Sequence, residues 1–393
     1  MSRRGFIQKS ALATAGTLLV PQFLKAWSKT ISEEEKILIV LQLSGGNDGL
    51  NTIVPYRNDI YYKSRPKIGL PAEKIIKISD EIGFNTGLEK LRSFYDQGYM
   101  TIINNVGYPN PDRSHFRSMD IWQSGSERDY LNTGWIGRYL DATCNGKDHN
   151  AIEIDGSLSL ALKGKEINAL AMTSPLQFYK TTQNPLFKSI SNDSNHEDAN
   201  PLVDYLYKTV SETASSAEYI IQQTKKYSNT AEYPPTEFAQ HLKTIGTLIN
   251  SGVNAKVYYA SLGAFDTHVN QIGQHERSLK IYADAVAALM NDLDKQGNLD
   301  KTVIMTFSEF GRRVSENASG GTDHGTASNV LLYGKKLKTP GVYNSLPDLA
   351  NLDQGDLLYQ VDFRSIYSAL LKNWMSTDPS QILSQDFPSL NIV

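Results

Sequence analysis

The sequence TVIMTFSEFGRRVSENASGGTDHGTASNVLLY, residues 302–333, decides the fold. It opens with an apolar run of strand length, continues through polar residues and a Gly-Gly turn, and closes on a second apolar run, Val330–Tyr333. Glu309 stands where the first strand should end, and Asp323 and His324 precede the second. Because ligands of open α/β sheets bind at the carboxyl ends of buried strands, these polar groups are predicted to form one metal or anion site.

A further strand end carries the same kinds of residue. The apolar run Lys256–Ser261 leads into LGAFDTH, residues 262–268, which places a carboxylate and an imidazole two residues apart. Taken singly, Glu-Phe-Gly or Asp-His-Gly occurs by chance in many loops. Their recurrence just past apolar runs favours a shared site. The metal ligands predicted from these strand ends are Asp266, His268, Glu309, Asp323 and His324.

The first apolar run, Ile37–Leu43 (ILIVLQL), fits a strand that is buried on both faces of a parallel sheet. It opens into SGGNDGLN, residues 44–51, where the glycines suit a tight turn. The glycine spacings of nucleotide-phosphate loops are absent. Asp48 is therefore predicted to be a metal ligand, and a plain turn former is the alternative.

A Ser-His pair follows the strand predicted at Met100–Val106. It lies in PNPDRSHFRSMDIW, residues 109–122, where a proline-rich loop leads into a predicted helix. A serine at a helix N-terminus beside arginines suits the binding of an anion or attack on one. Ser114 is the predicted nucleophile, and the alternative is that it only caps the helix.

The predicted chemistry needs charge neutralisation and a general acid. Arg113, Arg312 and Arg313 are the candidates for holding anionic oxygens by bidentate contacts. His115 or His275 is the candidate general acid.

The fold prediction rests on strands that alternate with helices. Between the apolar run at 256–261 and the one that begins at residue 302, apolar residues recur at three- and four-residue spacing from Leu279 to Leu293. This spacing predicts a helix and a right-handed crossover between parallel strands. We expect a three-layer α/β sandwich with a mainly parallel sheet. Residues 33–393 are predicted to form a single domain with a largely helical insertion at about 175–250.

Composition excludes some classes of partner. The chain has 393 residues, of which 40% are apolar and 21% charged, as in ordinary globular proteins. A pI of about 6.2 without a polybasic patch argues against nucleic acid as the partner. A small molecule or a carbohydrate is the expected substrate, and the sequence does not indicate an oligomeric state.

Residues 1–26 have the features of a twin-arginine export signal: adjacent arginines, a short apolar segment and a small-residue exit. The apolar segment is broken by Pro21, so we expect cleavage and no stable membrane span, with a retained anchor as the alternative. The predicted location is the periplasm or the exterior. Cys144 is the only cysteine, so no intramolecular disulfide can form.

The leader, LQLSGGNDGLN, RSHFRSMDIW, FDTH, SEFGRR and GGTDHG together resemble the DUF1501 family of exported bacterial proteins. That family is similar to the alkaline phosphatase and sulfatase superfamily, whose pattern would give Asp48 and the 266–268 segment metal-binding positions and Ser114 the nucleophile position. The chain departs from that pattern at Phe310, where an imidazole is expected, and at the shorter Asp266–His268 spacing.

The resemblance and the residues together predict an exported metal-dependent hydrolase or transferase. Its substrate would be a phosphate or sulfate ester, with carbohydrate esters as one class. Mixed Asp/His ligation permits one divalent ion, which can be zinc, manganese or calcium. The alternative is a catalytically degenerate member that works as a binding or assembly protein of the cell envelope.

Overall fold

The computed structural model describes residues 36–143, 151–167, 169–191, 201–227, 229 and 231–393. For residues 186, 190, 191 and 201–208 it describes only the backbone. The predicted export signal, residues 1–26, and Cys144 lie outside the described residues.

The described residues contain fourteen strands and eleven α-helices. The strands are β1 (Ile37–Leu43), β2 (Ile53–Val54), β3 (Ile75–Lys77), β4 (Gly83–Asn85), β5 (Met100–Gly107), β6 (Ala151–Glu153), β7 (Leu170–Ala171), β8 (Val257–Leu262), β9 (Thr302–Phe307), β10 (Ser328–Tyr333), β11 (Gly341–Val342), β12 (Leu352–Asp353), β13 (Asp356–Leu357) and β14 (Val361–Asp362). The helices are α1 (Gly49–Thr52), α2 (Asp59–Ser64), α3 (Arg92–Asp96), α4 (His115–Ser124), α5 (Trp135–Thr143), α6 (Pro175–Thr182), α7 (Pro185–Ser191), α8 (Pro201–Thr224), α9 (Glu237–Asn250), α10 (Gln271–Lys295) and α11 (Phe363–Ala369).

One large sheet organises this part of the chain. Its strand order is β11-β5-β10-β9-β1-β8-β6-β7, and β14 also pairs with β5. Strand β10 runs antiparallel to both of its neighbours, whereas every other pairing in this sheet is parallel. The predicted α/β class with a mainly parallel sheet is confirmed, and the sheet is mixed because of this one reversed strand.

Strand β1 lies at the centre of the sheet because its apolar run has no polar face. All seven of its residues are buried. Alternate side chains enter two different hydrophobic clusters: Ile39 packs in the cluster that includes residues of α9 and α10, and Val40 packs in the cluster that includes residues of α4, α5 and α11. Successive side chains of a strand point to opposite faces, so helices cover the sheet on both sides in three layers.

The reversed strand brings four loops to one edge of the sheet. Ser328, the first residue of β10, pairs with Val106 near the end of β5, and Leu331 pairs with Thr306 near the end of β9. The segment between β9 and β10 therefore meets the segments that follow β1, β5 and β8. This shared edge contains most of the predicted site residues.

The stretch between β7 and β8 contains the four helices α6 to α9. Leu242 and Ile245 of α9 belong to the core on one face of the sheet. None of the described helices is both long and apolar enough to cross a membrane.

Candidate metal centre

Three imidazoles converge on one carboxylate at the shared edge. Asp266 Oδ1 lies 3.0 Å from His268 Nε2, 3.4 Å from His324 Nε2 and 3.6 Å from His115 Nε2. The Nε2 atoms of His268 and His324 are 2.9 Å apart. Ligands held at about 2.0–2.1 Å from a tetrahedral ion lie about 3.3 Å from one another. The distances from Asp266 to the three imidazoles are therefore close to those expected between the ligands of a single ion.

His115 uses its Nδ1 in a hydrogen bond within the protein, and its Nε2 remains available. Its Nδ1–H donates to Oε1 of the buried Glu309 at 2.8 Å, and that hydrogen bond raises the pKa of His115. Glu309 is held in place by the backbone N–H of Gly45 and the hydroxyl of Ser308. Nε2 of His115 is buried and has no hydrogen-bond partner among the described residues. A buried polar nitrogen without a partner is unfavourable, so this atom fits a metal ligand.

The other two histidines have the same arrangement. His324 donates Nδ1–H to the backbone carbonyl of Arg113 at 2.8 Å, and His268 Nδ1 lies 3.3 Å from Oδ1 of Asp323. A carbonyl or carboxylate oxygen accepts a hydrogen bond, so Nδ1 carries the hydrogen, and in the neutral ring Nε2 presents a lone pair. Outer carboxylates and carbonyls that orient histidines in this way are typical of metal sites.

The resulting cluster brings several lone pairs together. The Nε2 atoms of His268 and His324 and Oδ1 of Asp266 face one another at 2.9–3.4 Å. The guanidinium of Arg312 lies 2.7 Å from Asp266 Oδ1 and 3.4 Å from His268 Nε2, and a further cation among these acceptors would also be favourable. Burial lowers the pKa of His324, so its ring tends to remain neutral. His115, Asp266 and His324 have ligand atoms that all lie within 4.8 Å of one another and can hold a metal ion.

Arg312 organises the loops around this cluster. It is buried, and it donates to the backbone carbonyls of Gly46 and Thr322 at 2.7 and 2.8 Å. It also pairs with Asp266 at 2.7 Å. Burial alone would raise the pKa of Asp266, but Arg312, His268 and His115 together outweigh that effect and the pKa is lowered. Its donors are thus used within the protein, and the assignment of Arg312 to substrate oxygens stays a prediction.

Phe310 fills the place at which the family resemblance implied an imidazole. Its ring is buried, and its centroid lies 4.8 Å from the centroids of both His115 and His324. The turn after β1 closes over the same ring, because a Cβ on Gly46 would meet it at 2.3 Å. Phe310 therefore holds two imidazoles by packing rather than supplying a ligand.

Asp48 is not placed among the converging ligand atoms. Its Oδ1 caps helix α1 by accepting the N–H groups of Leu50 and Asn51. Its Oδ2 pairs with Arg65 at 2.7 Å, and both side chains are buried. Burial pushes the pKa of Asp48 up, but the charge of Arg65 is among the effects that bring it below its usual value. These contacts match the alternative of a turn former better than the predicted metal ligand.

His275 is not placed to serve as a general acid. It lies on α10 with 1% of its surface exposed, and its Nε2 is 2.9 Å from Oδ1 of Asn47. Burial lowers the pKa of His275 to about 4. A general acid must reach the substrate and carry a proton at the working pH, and the structure provides neither condition.

The remaining predicted residues lie at the start of α4 and after β9. Ser114 is exposed at the N-cap position directly before His115, and its side chain makes no capping hydrogen bond. Arg113 forms an ion pair with Asp356 and is 39% exposed. Arg313 is 38% exposed, and its Nε lies 3.7 Å from the same carboxylate.

A groove opens to solvent over the cluster. It is lined by Ser44, Gly45, His115, Phe116, Met119, Asp120, Asp266 and Glu309. His115 and Asp266 are both candidate ligands, so a molecule in this groove would reach the proposed ion directly.

Sequence reasoning missed several residues that support the cluster. Asn317 donates to Oδ1 of Asp323 and to the carbonyl of His268, and Gln271 bonds Asp48, Thr267 and Thr322. Asp356 neutralises Arg113 from the short β12–β13 hairpin. Only Gln271 carried a usable signal, because its position directly before a predicted helix and after Asp266 and His268 puts it near the site.

Comparison with known proteins gives one family and several distant structural similarities. A family model described as "Protein of unknown function (DUF1501)" matches residues 95–378. No curated protein matches the chain. The match leaves Asp48 outside the matched span, whereas the cluster of His115, Asp266, His268 and His324 lies within it.

Three solved structures that resemble this fold have low sequence identity to the chain. The C-terminal periplasmic domain of EcEptC from Escherichia coli, in complex with Zn, has a TM-score of 0.38 at 12% identity over 78% of this chain and 75% of that one. The PsFucS1 sulfatase from Pseudoalteromonas sp. gives 0.36 at 12% identity over 87% and 68%. A protein in the alkaline phosphatase superfamily from Vibrio parahaemolyticus gives 0.37 at 9% identity over 80% and 63%. Similarities of this size carry no inference about what this chain binds.

Proposed function

The chain belongs to the DUF1501 family of proteins of unknown function, and from that premise we propose that it is an exported metal-dependent hydrolase or transferase acting on a phosphate or sulfate ester. The observation that carries the proposal is the convergence of three histidine Nε2 atoms on Oδ1 of Asp266. Each histidine has its Nδ1 against an acceptor, so the three lone pairs are aimed at one point. Such a point suits a divalent cation.

The residues that would hold the ion are His115, Asp266, His268 and His324. Glu309 and Asp323 would act behind them by orienting two of the imidazoles. A donor set of three nitrogens and one oxygen favours zinc or manganese over calcium, which prefers oxygen ligands. An ion bound there would supply Lewis acidity toward the oxygens of an ester.

The start of helix α4 supports an anionic substrate beside this point. Its first N–H groups have no partners within the helix, and Ser114 does not cap them. The positive end of the helix dipole favours an anion there. Arg113 keeps part of its guanidinium exposed, and the Ser114 hydroxyl is exposed for attack on phosphorus or sulfur. Because His115 would bind the ion through Nε2, it is not available as the general acid.

One observation favours the alternative of a binding or assembly protein. The donors of Arg312 are used by backbone carbonyls and by Asp266, so the cluster has less free positive charge than the predicted mechanism assigned to it. In that alternative the ion would be structural, and the groove would hold a ligand without converting it.

Elemental analysis of protein purified without chelator tests the metal centre. We expect close to one divalent ion per chain in the wild type and none in the Asp266→Ala/His324→Ala double variant. A wild type that remains metal-free after incubation with zinc and manganese would refute the proposal.

Turnover of aryl phosphates and aryl sulfates by the loaded protein then separates enzyme from binding protein. Ser114→Ala should abolish turnover and leave the metal content unchanged. A fully active Ser114→Ala variant would remove the serine from the mechanism. A loaded wild type that turns over neither ester class would favour the binding protein.

Export is part of the proposal and rests on the leader alone. Replacing Arg3 and Arg4 together by lysine should leave the protein in the cytoplasm, as measured by cell fractionation. Unchanged export of that variant would contradict the twin-arginine route.

A further inference from the structure

A second cavity lies beside the candidate metal centre and shares one residue with it. It has a volume of about 130 Å³, close to that of an apolar cavity of about 150 Å³ that binds benzene. Its apolar lining consists mainly of Tyr108, Trp122, Phe310, Leu357, Leu358 and Tyr359. Phe310 contributes to this lining and also packs against the rings of His115 and His324. A ligand in the cavity would therefore lie one aromatic ring away from the cluster.

The mouth of the cavity is formed by exposed apolar side chains. Leu358 and Tyr359 are 44% and 41% exposed, whereas Trp122 at the other end of the lining is buried. Single exposed apolar residues are ordinary. Here, however, four of the six large ones in the described part of the chain lie close to the site, because Phe116 and Val269 directly follow His115 and His268. This grouping is typical of a surface that binds an apolar group.

Two contacts hold the cavity walls against the metal cluster. Asp356 of the β12–β13 hairpin pairs with Arg113, whose carbonyl accepts from His324. Thr326 donates its hydroxyl to the carbonyl of Leu357 at 2.6 Å. The hairpin is thus tied to both loops that flank the cluster, so the cavity is already formed without a ligand.

The charges around the cavity indicate which end of a substrate would bind there. Asp353 is the only acidic side chain in its lining, and no arginine or lysine belongs to the lining. An anion is disfavoured beside a carboxylate, so this cavity suits an uncharged group. Arg113 and the start of α4 lie on the cluster side and suit the phosphate or sulfate.

We propose that this cavity binds the apolar alcohol portion of the substrate, an aromatic ring or a short branched alkyl chain. The proposal rests on the function proposed above, which places the anionic group at the metal centre. Hydrolysis would break the bond between the ester oxygen and phosphorus or sulfur. Water would supply the replacing oxygen and the proton that the alcohol takes up, and the alcohol would leave from the cavity.

Calorimetric titration of the full chain with 2-naphthol tests the cavity without requiring turnover. We expect binding to the wild type and binding at least tenfold weaker to Leu358→Asp, because a carboxylate at the mouth repels an apolar ring. Leu176→Asp is the matched control, since Leu176 is an exposed leucine of α6 at 52% exposure and should bind as the wild type does. Tyr359→Asp provides a second variant of the mouth, and thermal unfolding checks that each variant is folded.

The outcomes separate the cavity from the proposed function. The cavity proposal is overturned if the wild type does not bind 2-naphthol. It is also overturned if Leu358→Asp and Leu176→Asp weaken binding equally. Loss of binding in Phe116→Ala would place the ring in the open groove and would overturn it too. Binding that depends on Leu358, in a protein that hydrolyses no ester, supports the cavity as an apolar ligand site and refutes the enzymatic function instead.

Discussion

Each of the three cluster histidines has one nitrogen engaged by the protein and one aimed at Asp266. Glu309, Asp323 and the carbonyl of Arg113 hold the Nδ1 atoms. These acceptors decide the tautomer, and the tautomer decides which nitrogen can be a ligand. Replacing an outer acceptor should therefore change metal affinity while all four ligands remain.

The Glu309→Gln variant tests that dependence. The neutral amide is a weaker acceptor for His115 Nδ1–H than a carboxylate, so we expect zinc or manganese to bind about 10–100-fold more weakly. Competition with a chromophoric chelator measures the change. Asp120→Asn is the matched control because Asp120 lines the same groove; an equal loss in both variants would indicate a general effect of charge.

Stability should fall in mild acid because of His275. Its pKa is about 4 in the folded protein and about 6.5 when unfolded, since burial disfavours the charged ring. Above pH 6.5 both states are neutral at this residue, whereas between pH 6.5 and 4 only the unfolded chain takes up the proton. The free energy of unfolding should therefore drop by roughly 2 kcal/mol between pH 6.5 and 5 from this group.

Urea unfolding at several pH values measures that drop. His275→Gln removes the titrating ring and should flatten the profile between pH 6.5 and 4 relative to the wild type. A variant whose stability falls as steeply as that of the wild type would contradict the assignment to His275.

At the scale of elements, the turn after β1 brings two strand ends together. Gly45 has a φ of +117°, and its N–H donates to Glu309. A Cβ at this position would meet the backbone nitrogen of Asp266 at 2.4 Å. The turn can therefore approach the Asp266 loop this closely only without a side chain at residue 45.

Gly45→Ala should weaken both stability and metal binding. The left-handed backbone and the clash with the Asp266 loop should lower the free energy of unfolding by about 1–3 kcal/mol. Gly263→Ala is the control, since a Cβ on that glycine, which precedes the same loop, meets nothing within 4 Å. Denaturant unfolding and metal titration of the two variants check the prediction, which fails if they behave alike.

Strands were easier to predict than side-chain directions. ILIVLQL is apolar on both faces, so a buried central strand was the natural interpretation, and β1 has the predicted bounds, Ile37–Leu43. The position of Asp48 just past this strand correctly suggested the shared edge. Its side chain instead turns toward Arg65, which lies just beyond α2, and no local pattern predicts such a distant ion pair. The ion pair between Asp356 and Arg113 was not predicted for the same reason.

For the molecule as a whole, the cluster joins distant parts of the chain. Its ligands come from the start of α4, from the loop after β8 and from the loop before β10. An ion bound only by the folded state stabilises that state by mass action. It should therefore affect the stability of the whole described fold rather than of one loop.

Thermal unfolding with and without zinc measures this coupling. At a free concentration about 100 times the dissociation constant, the ion should add about 2.7 kcal/mol to the free energy of unfolding. Asp266→Ala/His324→Ala should show no such increase. A zinc-dependent rise in that double variant would place the ion elsewhere.

The strand order also has a consequence for biosynthesis. Leu38 of β1 pairs with Val257 of β8 and with Val303 of β9, so neither partner has left the ribosome when β1 emerges. Until β8 and β9 emerge, both edges of this apolar strand lack hydrogen-bond partners, so the segment can pair with a wrong strand. Any chaperone that accompanies the nascent chain should therefore engage ILIVLQL and release it only after residue 307 has left the ribosome.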